Sequence, residues 1–352
     1  MIRTHRTYAA LAIAGTMVLG MAGSALAQDA PKKVMLIGNQ RFGDQGPMDA
    51  FSAGLDQCAS EFGFEISKLE SIDAAGYEDD IRAVAAEGYD LILTTFPPMT
   101  PAQVTVAKEF PDQKFRAIYQ FINMPGDVEI LANVSSTEYQ GHTVAYILGV
   151  IAGSLSKTGK LGVVSGSDDP TVNAADNAWG QGVIAVNPDA SVEFGIAGSY
   201  EDPAKGKEIA LAMASRGVDA ISTQAAKTQL GVIEAAKEQA ILVQGDVADN
   251  SALYPEGFVG YLALDFGSDV YLACKELAED AFTGGTHTVL DLSTGTYMVP
   301  WDVIDAWAAV QTFTDADTAA AAIAAGRAAE AAILDGSLVV EMDTSLPVNI
   351  GG

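Results

Sequence analysis

The sequence predicts an α/β chain of two doubly wound parallel-sheet lobes joined by crossing strands, and three observations predict it. Short β-rich apolar runs alternate with helical segments of about 10–15 residues, the pattern of βαβ units on parallel sheets. The alternation occurs in two series, one after the other. The chain, 352 residues in all, also exceeds what one hydrophobic core usually serves.

The elements follow in order. Residues 1–27 run from a basic start (Arg3, His5, Arg6) through an apolar stretch at 11–21 to Ala25-Leu26-Ala27. This is the tripartite pattern of a secretory leader with a small-x-small cleavage point. The expectation is cleavage before Gln28 and export to the periplasm. The apolar stretch is too short for a transmembrane span and runs into Gln28, Asp29 and Pro31, so membrane insertion is not expected. In the first series, strands at 34–37, 64–69, 91–94 and 115–119 alternate with helices near 48–62, 77–87 and 101–110. A helical stretch at 141–154 opens the second series. There, strands at 161–165, 192–196, 220–222 and 241–243 alternate with helices near 174–186, 203–216 and 227–239. The runs at 130–134 and 258–264 are expected to be crossings between lobes, with a helix at 268–281 after the second. The tail reads as a helix at 302–310, an alanine-rich helix at 318–333 and a last strand near 337–341. Lobe one is thus expected at 33–137 plus 264–295, lobe two at 138–263, with 296–352 completing the lobes.

Charge narrows the function classes. The net charge is −27, and removing a leader that holds Arg3, Arg6 and no acid gives −27 − 2 = −29. Such a surface repels nucleic acid and anionic lipid. No nucleic-acid partner is expected. His142 and His287, the histidines outside the leader, stand in no zinc frame, and no C-x-x-C, G-x-S-x-G or G-x-G-x-x-G is present. His142 reads as a packed or capping residue and His287, within Gly284-Gly285-Thr286-His287, as a surface turn. No catalytic set, metal or cofactor is indicated, so the chain does not read as an enzyme. Cys58 and Cys274 can form a disulfide in an exported protein or remain two buried thiols.

Ligands of open parallel sheets sit at the carboxyl ends of strands, which selects the loops 38–47, 95–98, 120–123, 165–173, 223–228 and 245–250. The first reads Gly38-Asn-Gln-Arg-Phe-Gly-Asp-Gln-Gly-Pro47. Its Gly38–Gly43 spacing matches the opening of a phosphate-binding loop, yet Asp44 and Gln45 stand where that motif needs Lys and Ser or Thr. A carboxylate there repels phosphate and accepts hydrogen bonds from a neutral, donor-rich ligand. Asn123, Asn173 and Gln224, from other loops of the group, are candidates to fix a ligand's polar edges.

Several segments resemble the basic membrane protein family of substrate-binding proteins, whose best-known members bind purine nucleosides for ABC importers. They are Tyr146-Ile-Leu-Gly149 followed by Ser156-Lys-Thr-Gly-Lys-Leu-Gly162; Val186-Asn-Pro-Asp189; Ser199-Tyr-Glu-Asp202 with Lys205-Gly-Lys-Glu208; Gln224-Ala-Ala-Lys-Thr-Gln-Leu-Gly231; and 244–250. The resemblance implies a type I periplasmic binding protein fold. It also implies a small-molecule ligand (purine, nucleoside or sugar), delivered to an ABC importer permease by hinge closure. It makes Asp44 the aspartate of the first loop and Asp246 the aspartate that holds ribose hydroxyls. Pro47 and Met48 stand where the family carries a stacking Phe and an Asn. Phe42 and Phe96, with Tyr200 and Trp179 from the other lobe, are the substitute rings, Trp179 reading more as core. The lysine that the family carries near the second crossing is replaced by Ala263-Leu264-Asp265. On this fold Cys58 and Cys274 fall on the first helix of lobe one and on the helix returning to it, which makes a disulfide the expectation.

Overall fold

Residues 34–38 are buried on both faces, so the strand they form must lie inside a sheet with helices on either side. A computed structural model describes residues 30–43 and 47–351; the stretch expected to be a secretory leader (1–27), Asp44 and Gln45 lie outside them. The first sheet contains β1 (Lys33–Gly38), β2 (Glu65–Glu70), β3 (Leu91–Thr95), β4 (Phe115–Ile118), β5 (Val134–Tyr139) and β11 (Thr286–Leu290). Its order is β11-β5-β4-β3-β1-β2, parallel throughout. The helices α1 (Pro47–Phe62), α2 (Tyr77–Ala85) and α3 (Thr100–Glu109) follow its first three strands.

The second sheet contains β6 (Lys160–Ser165), β7 (Ser191–Ile196), β8 (Ala220–Gln224), β9 (Leu242–Val247), β10 (Phe258–Leu264) and β12 (Tyr297–Met298). Its order, β12-β10-β9-β8-β6-β7, repeats the first, and only β12 pairs antiparallel among the described residues. The remaining helices are α4 (His142–Leu155), α5 (Pro170–Val186), α6 (Pro203–Ser215), α7 (Gln229–Gln239), α8 (Phe266–Ala278), α9 (Trp301–Val310) and α10 (Ala316–Leu334). Helix starts follow local chemistry: Asp169 and Asp202 each precede a proline and accept backbone N–H groups of the first turn, Thr171 at 2.9 Å and Lys205 at 3.0 Å.

Two close approaches fix the helix layers. A Cβ on Gly149 of α4 would stand 2.1 Å from the Trp179 carbonyl oxygen, and one on Gly182 of α5 would stand 2.1 Å from that of Tyr146. On the other side of the molecule α1 and α8 meet at Gly54 and Gly267. One turn on along α1 and two along α8, Cys58 and Cys274 are joined as a disulfide, Cα atoms 5.9 Å apart.

Four expectations are corrected. Residues 134–139 and 258–264 are strands inside the two sheets, paired on both sides. The chain passes between the sheets just before α4, just before α8, and at 291–296. Residues 337–341 form no strand; the Glu341 carbonyl is taken by the Gln181 side chain of α5, and the tail's pairing is a single bridge between Ile350 and Val192. His287 lies in β11 with its ring almost wholly covered, Nδ1 2.8 Å from Ser136 Oγ and Nε2 3.3 Å from a Glu138 oxygen. The Gly284-Gly285 turn ends one residue short of that strand.

Candidate functional site

Backbone strain concentrates at the carboxyl ends of strands. Among the described residues, non-glycine positive φ occurs at Phe96 (66°) after β3, Tyr119 (52°) after β4, Asn123 (57°) further along that loop, Ala226 (45°) after β8 and Val247 (29°) at the end of β9. Residues held in this region cost energy that the surroundings must repay, and such residues cluster at ligand clamps. Ala240 and Asp280, the other two, close helices.

The sequence-selected residues have distinct placements. Phe96 is half-buried in an aromatic cluster, its ring edge-on to Phe51 at 5.7 Å, Tyr119 at 6.0 Å and Phe266 at 6.5 Å. Phe42 lies beside the edge strand β2: its N–H donates to Glu70 Oε1 at 3.0 Å and its ring sits 5.9 Å from Lys68 Nζ. Asn123 is spent on its own loop. Its amide donates to the carbonyls of Leu131 and Val134 and its oxygen accepts from Leu131 N–H. Asn173 donates to Asp168 Oδ1 (2.8 Å) and the Thr344 carbonyl (3.2 Å), while its side-chain oxygen is buried without a partner. Trp179 is core, donating to Gln244 Oε1 at 2.7 Å. Met48, where the family carries a stacking ring or its neighbour, is fully buried beneath Gly38.

Gln224 and Asp246 end up together. Ser165, Gln224 and Asp246 close β6, β8 and β9, and the registers Ser165↔Gln224 and Ser222↔Gln244 place all three on one face of the sheet. Asp246 is buried; its Oδ2 accepts the Ala226 N–H at 3.0 Å, and Gln229 braces its backbone. Burial pushes this carboxyl up to about 6 against the pull of the Ala226, Val247 and Ala225 N–H groups. Facing the same end of the sheet is Asp176 of α5, 2% exposed. It takes a hydrogen bond from Ser165 Oγ on one oxygen and has no partner on the other. Burial, opposed by Ser165 and reinforced by Asp246, raises it to about 8. At neutral pH Asp176 is therefore a neutral acid able to donate, next to an aspartate that accepts.

Sequence reading missed Asp176, whose only signal is an acid inside the small-residue run Ala174-Ala-Asp-Asn-Ala178. It also missed Tyr119. Tyr119 OH is 2.6 Å from Thr171 Oγ1, a direct link from the end of β4 to the first turn of α5. Burial, first of several causes, pushes this phenol up to about 12. Tyr200, which was a candidate ring, stacks on Gly166 and shares a 2.9 Å hydrogen bond with Ser167. Among the described residues no group of three His, Cys, Asp or Glu side chains is placed to hold a metal, and no helix is long and apolar enough to cross a membrane.

The arrangement matches known proteins. The profile of ABC transporter substrate-binding proteins described as PnrA-like (Bmp) matches residues 31–305. Basic membrane protein A of Borreliella burgdorferi is 28% identical over 257 residues, which is 72% of this chain and 74% of that one. The CD4+ T-cell-stimulating antigen of Listeria monocytogenes is 28% identical over 200 residues, 57% of this chain; the match spans about half of its length, 51%. Among solved structures, an ABC transporter solute-binding protein from Aeropyrum pernix K1 has a TM-score of 0.70 at 22% identity, covering 89% of this chain and 94% of that one. At that identity the likeness carries the fold.

Proposed function

The chain belongs to the PnrA-like (Bmp) family of ABC transporter substrate-binding proteins, and on that premise we propose that it is an exported receptor for a purine base or nucleoside. The observation that carries this reading is the pair of buried aspartates at one end of the second sheet. Asp246 accepts from ligand hydroxyls or N–H groups. Asp176, protonated, donates to a ligand nitrogen or carbonyl oxygen. Neither aspartate has a cationic partner among the described residues, which favours a neutral ligand over a phosphate. Phe96 and its aromatic neighbours supply the apolar wall for a flat ring, with Gln224 on the polar side; Asp44 and Gln45 are further proposed contacts on sequence grounds alone.

Binding works through closure. A ligand that touches groups of both sheets favours the arrangement in which they face each other, and the short segments between the sheets absorb the rotation. The closed receptor then docks on an ABC importer permease. The test is calorimetric titration with inosine, guanosine, adenosine and hypoxanthine, beside glucose and myo-inositol. We expect a purine compound to bind and Asp246→Asn to weaken it about 10–100-fold, the worth of hydrogen bonds to a charged group. Binding of sugars alone would overturn the purine assignment, and turnover of a bound compound would overturn the receptor role.

A further inference from the structure

A second compartment has neither aspartate of the pair in its lining. It is a cavity of about 110 Å³ between the turn that leaves β5 and the first turn of α5, lined by Phe121, Tyr139, His142, Thr171, Met342 and Thr344 among others. The Tyr297 ring packs against Gly141, one of the residues that line this cavity.

Three independent observations mark the compartment as built. Its outer wall is a strap, residues 341–350, that lies beyond the stretch matched by the family. The strap is held by one face of α5: Asn173 donates to the Thr344 carbonyl (3.2 Å), Asn177 to those of Asp343 and Ser345 (2.9 Å each), and Gln181 to that of Glu341 (3.1 Å). These donors recur every fourth residue, the spacing that puts side chains in one row on a helix. The strap's end is pinned by paired backbone hydrogen bonds between Ile350 and Val192. The second observation is His142, only 8% exposed, with a buried Nδ1 that has no hydrogen-bond partner. A buried polar atom left unpaired costs about 1–3 kcal/mol, and the residue that carries it lines the cavity. The third is Phe121, a large ring 46% exposed at the cavity's mouth.

We propose that this cavity is a second ligand site, taking a small uncharged heteroaromatic ring that hydrogen-bonds His142 and packs between Phe121 and Met342. The size sets the class. At about 30 Å³ per water the space holds three or four waters, and a cavity near 150 Å³ accommodates benzene, so a five-membered ring fits. Burial lowers the His142 pKa, so at neutral pH the ring offers one donor and one acceptor. Phe121 belongs to the loop after β4, whereas Thr171 belongs to α5 and Met342 to the strap. An occupant therefore touches groups from both sheets and stabilises their present arrangement.

The probe is pyrazole, which is neutral at pH 7.5 and carries an adjacent donor and acceptor. Because the whole chain has three histidines, ¹⁵N-histidine NMR resolves the response of each. We expect pyrazole to move the His142 ring resonances saturably and to leave His287 in place. Thr344→Trp, which fills the cavity, and Phe121→Ala, which removes its wall, should each weaken binding at least tenfold, with far-UV circular dichroism unchanged. Purine nucleoside affinity in Thr344→Trp should stay within twofold of the parent. A non-saturating shift, a response at His287 instead, or full pyrazole affinity in the folded Thr344→Trp and Phe121→Ala variants would overturn the site. The pyrazole titration uses no nucleoside, so its outcome is independent of whether a purine is the main ligand.

Discussion

Asp269 and Asp176 are both buried helix carboxyls packed against the carboxyl-end half of a parallel sheet, 0% and 2% exposed, and they are treated in opposite ways. Asp269, in the first turn of α8, receives Arg116 Nε at 2.9 Å, the Thr137 hydroxyl, and Tyr139 OH at 3.2 Å. Arg116 in turn donates to Ser135 and lies 3.6 Å from Glu276. Every charge in that network has a counterpart, and it pins α8 to β4 and β5. Asp176 has one serine and an empty second oxygen. A complete set of partners makes a structural joint; an incomplete one holds a group ready for a ligand and keeps it buried only by keeping it protonated.

The largest effect should come from breaking the complete set. Arg116→Met leaves Asp269 buried and alone, and a stability loss of about 3–5 kcal/mol is expected in urea denaturation. A loss under about 1 kcal/mol would mean that the network is not a joint. Next is the disulfide that ties α8 to α1 across 216 residues of chain. Cys58→Ser with Cys274→Ser, or reduction of the parent, should cost about 2–5 kcal/mol; an unchanged melting temperature under reductant would remove this second anchor of α8 from the comparison.

The smallest effect is at Asp176 and takes the form of a pH slope. Its folded pKa, about 8, lies above the ordinary 3.8. Between those values the folded chain keeps a proton that the unfolded chain has released, so this contribution to stability is complete below about pH 4 and falls as pH rises to about 8. Asp246, raised to about 6, acts in the same direction over a shorter window. Asp176→Asn should flatten the fall by about 1 kcal/mol per pH unit in the middle of that window, close to the ceiling of about 1.4 for one proton. Equal slopes in parent and variant would mean that Asp176 is charged when folded, and the contrast with Asp269 would collapse.

Most of the fold was legible because a strand buried on both faces reads as a continuous apolar run. Val34–Ile37 and Leu91–Leu93 are such runs, and Gly149 of α4 sits in a segment that resembles the family. β11 and β12 were not legible. Thr286–Leu290 is a polar edge strand and Tyr297–Met298 only two residues long, so neither carries a periodic signal. In the site, Asp246 and Gln224 were found by their place at strand ends. Asn123 occupied an equally suitable place, yet its amide turned out to hold the loop, because which of two nearby partners an amide takes depends on backbone geometry. Asp176 stands in a helix at a position where a solvated acid would look the same.

The sequence by itself determined the doubled α/β alternation, the family and the loops that gather at the strand ends, since these follow from local periodicity and short motifs. Tertiary structure alone decided which acids are paired, which tyrosine reaches the opposite helix, and that a tail past the family's boundary walls a cavity. Those outcomes depend on contacts between residues far apart in the chain: 116 with 269, 119 with 171, 177 with 343. Whether a buried polar atom has a partner is settled only when such segments meet.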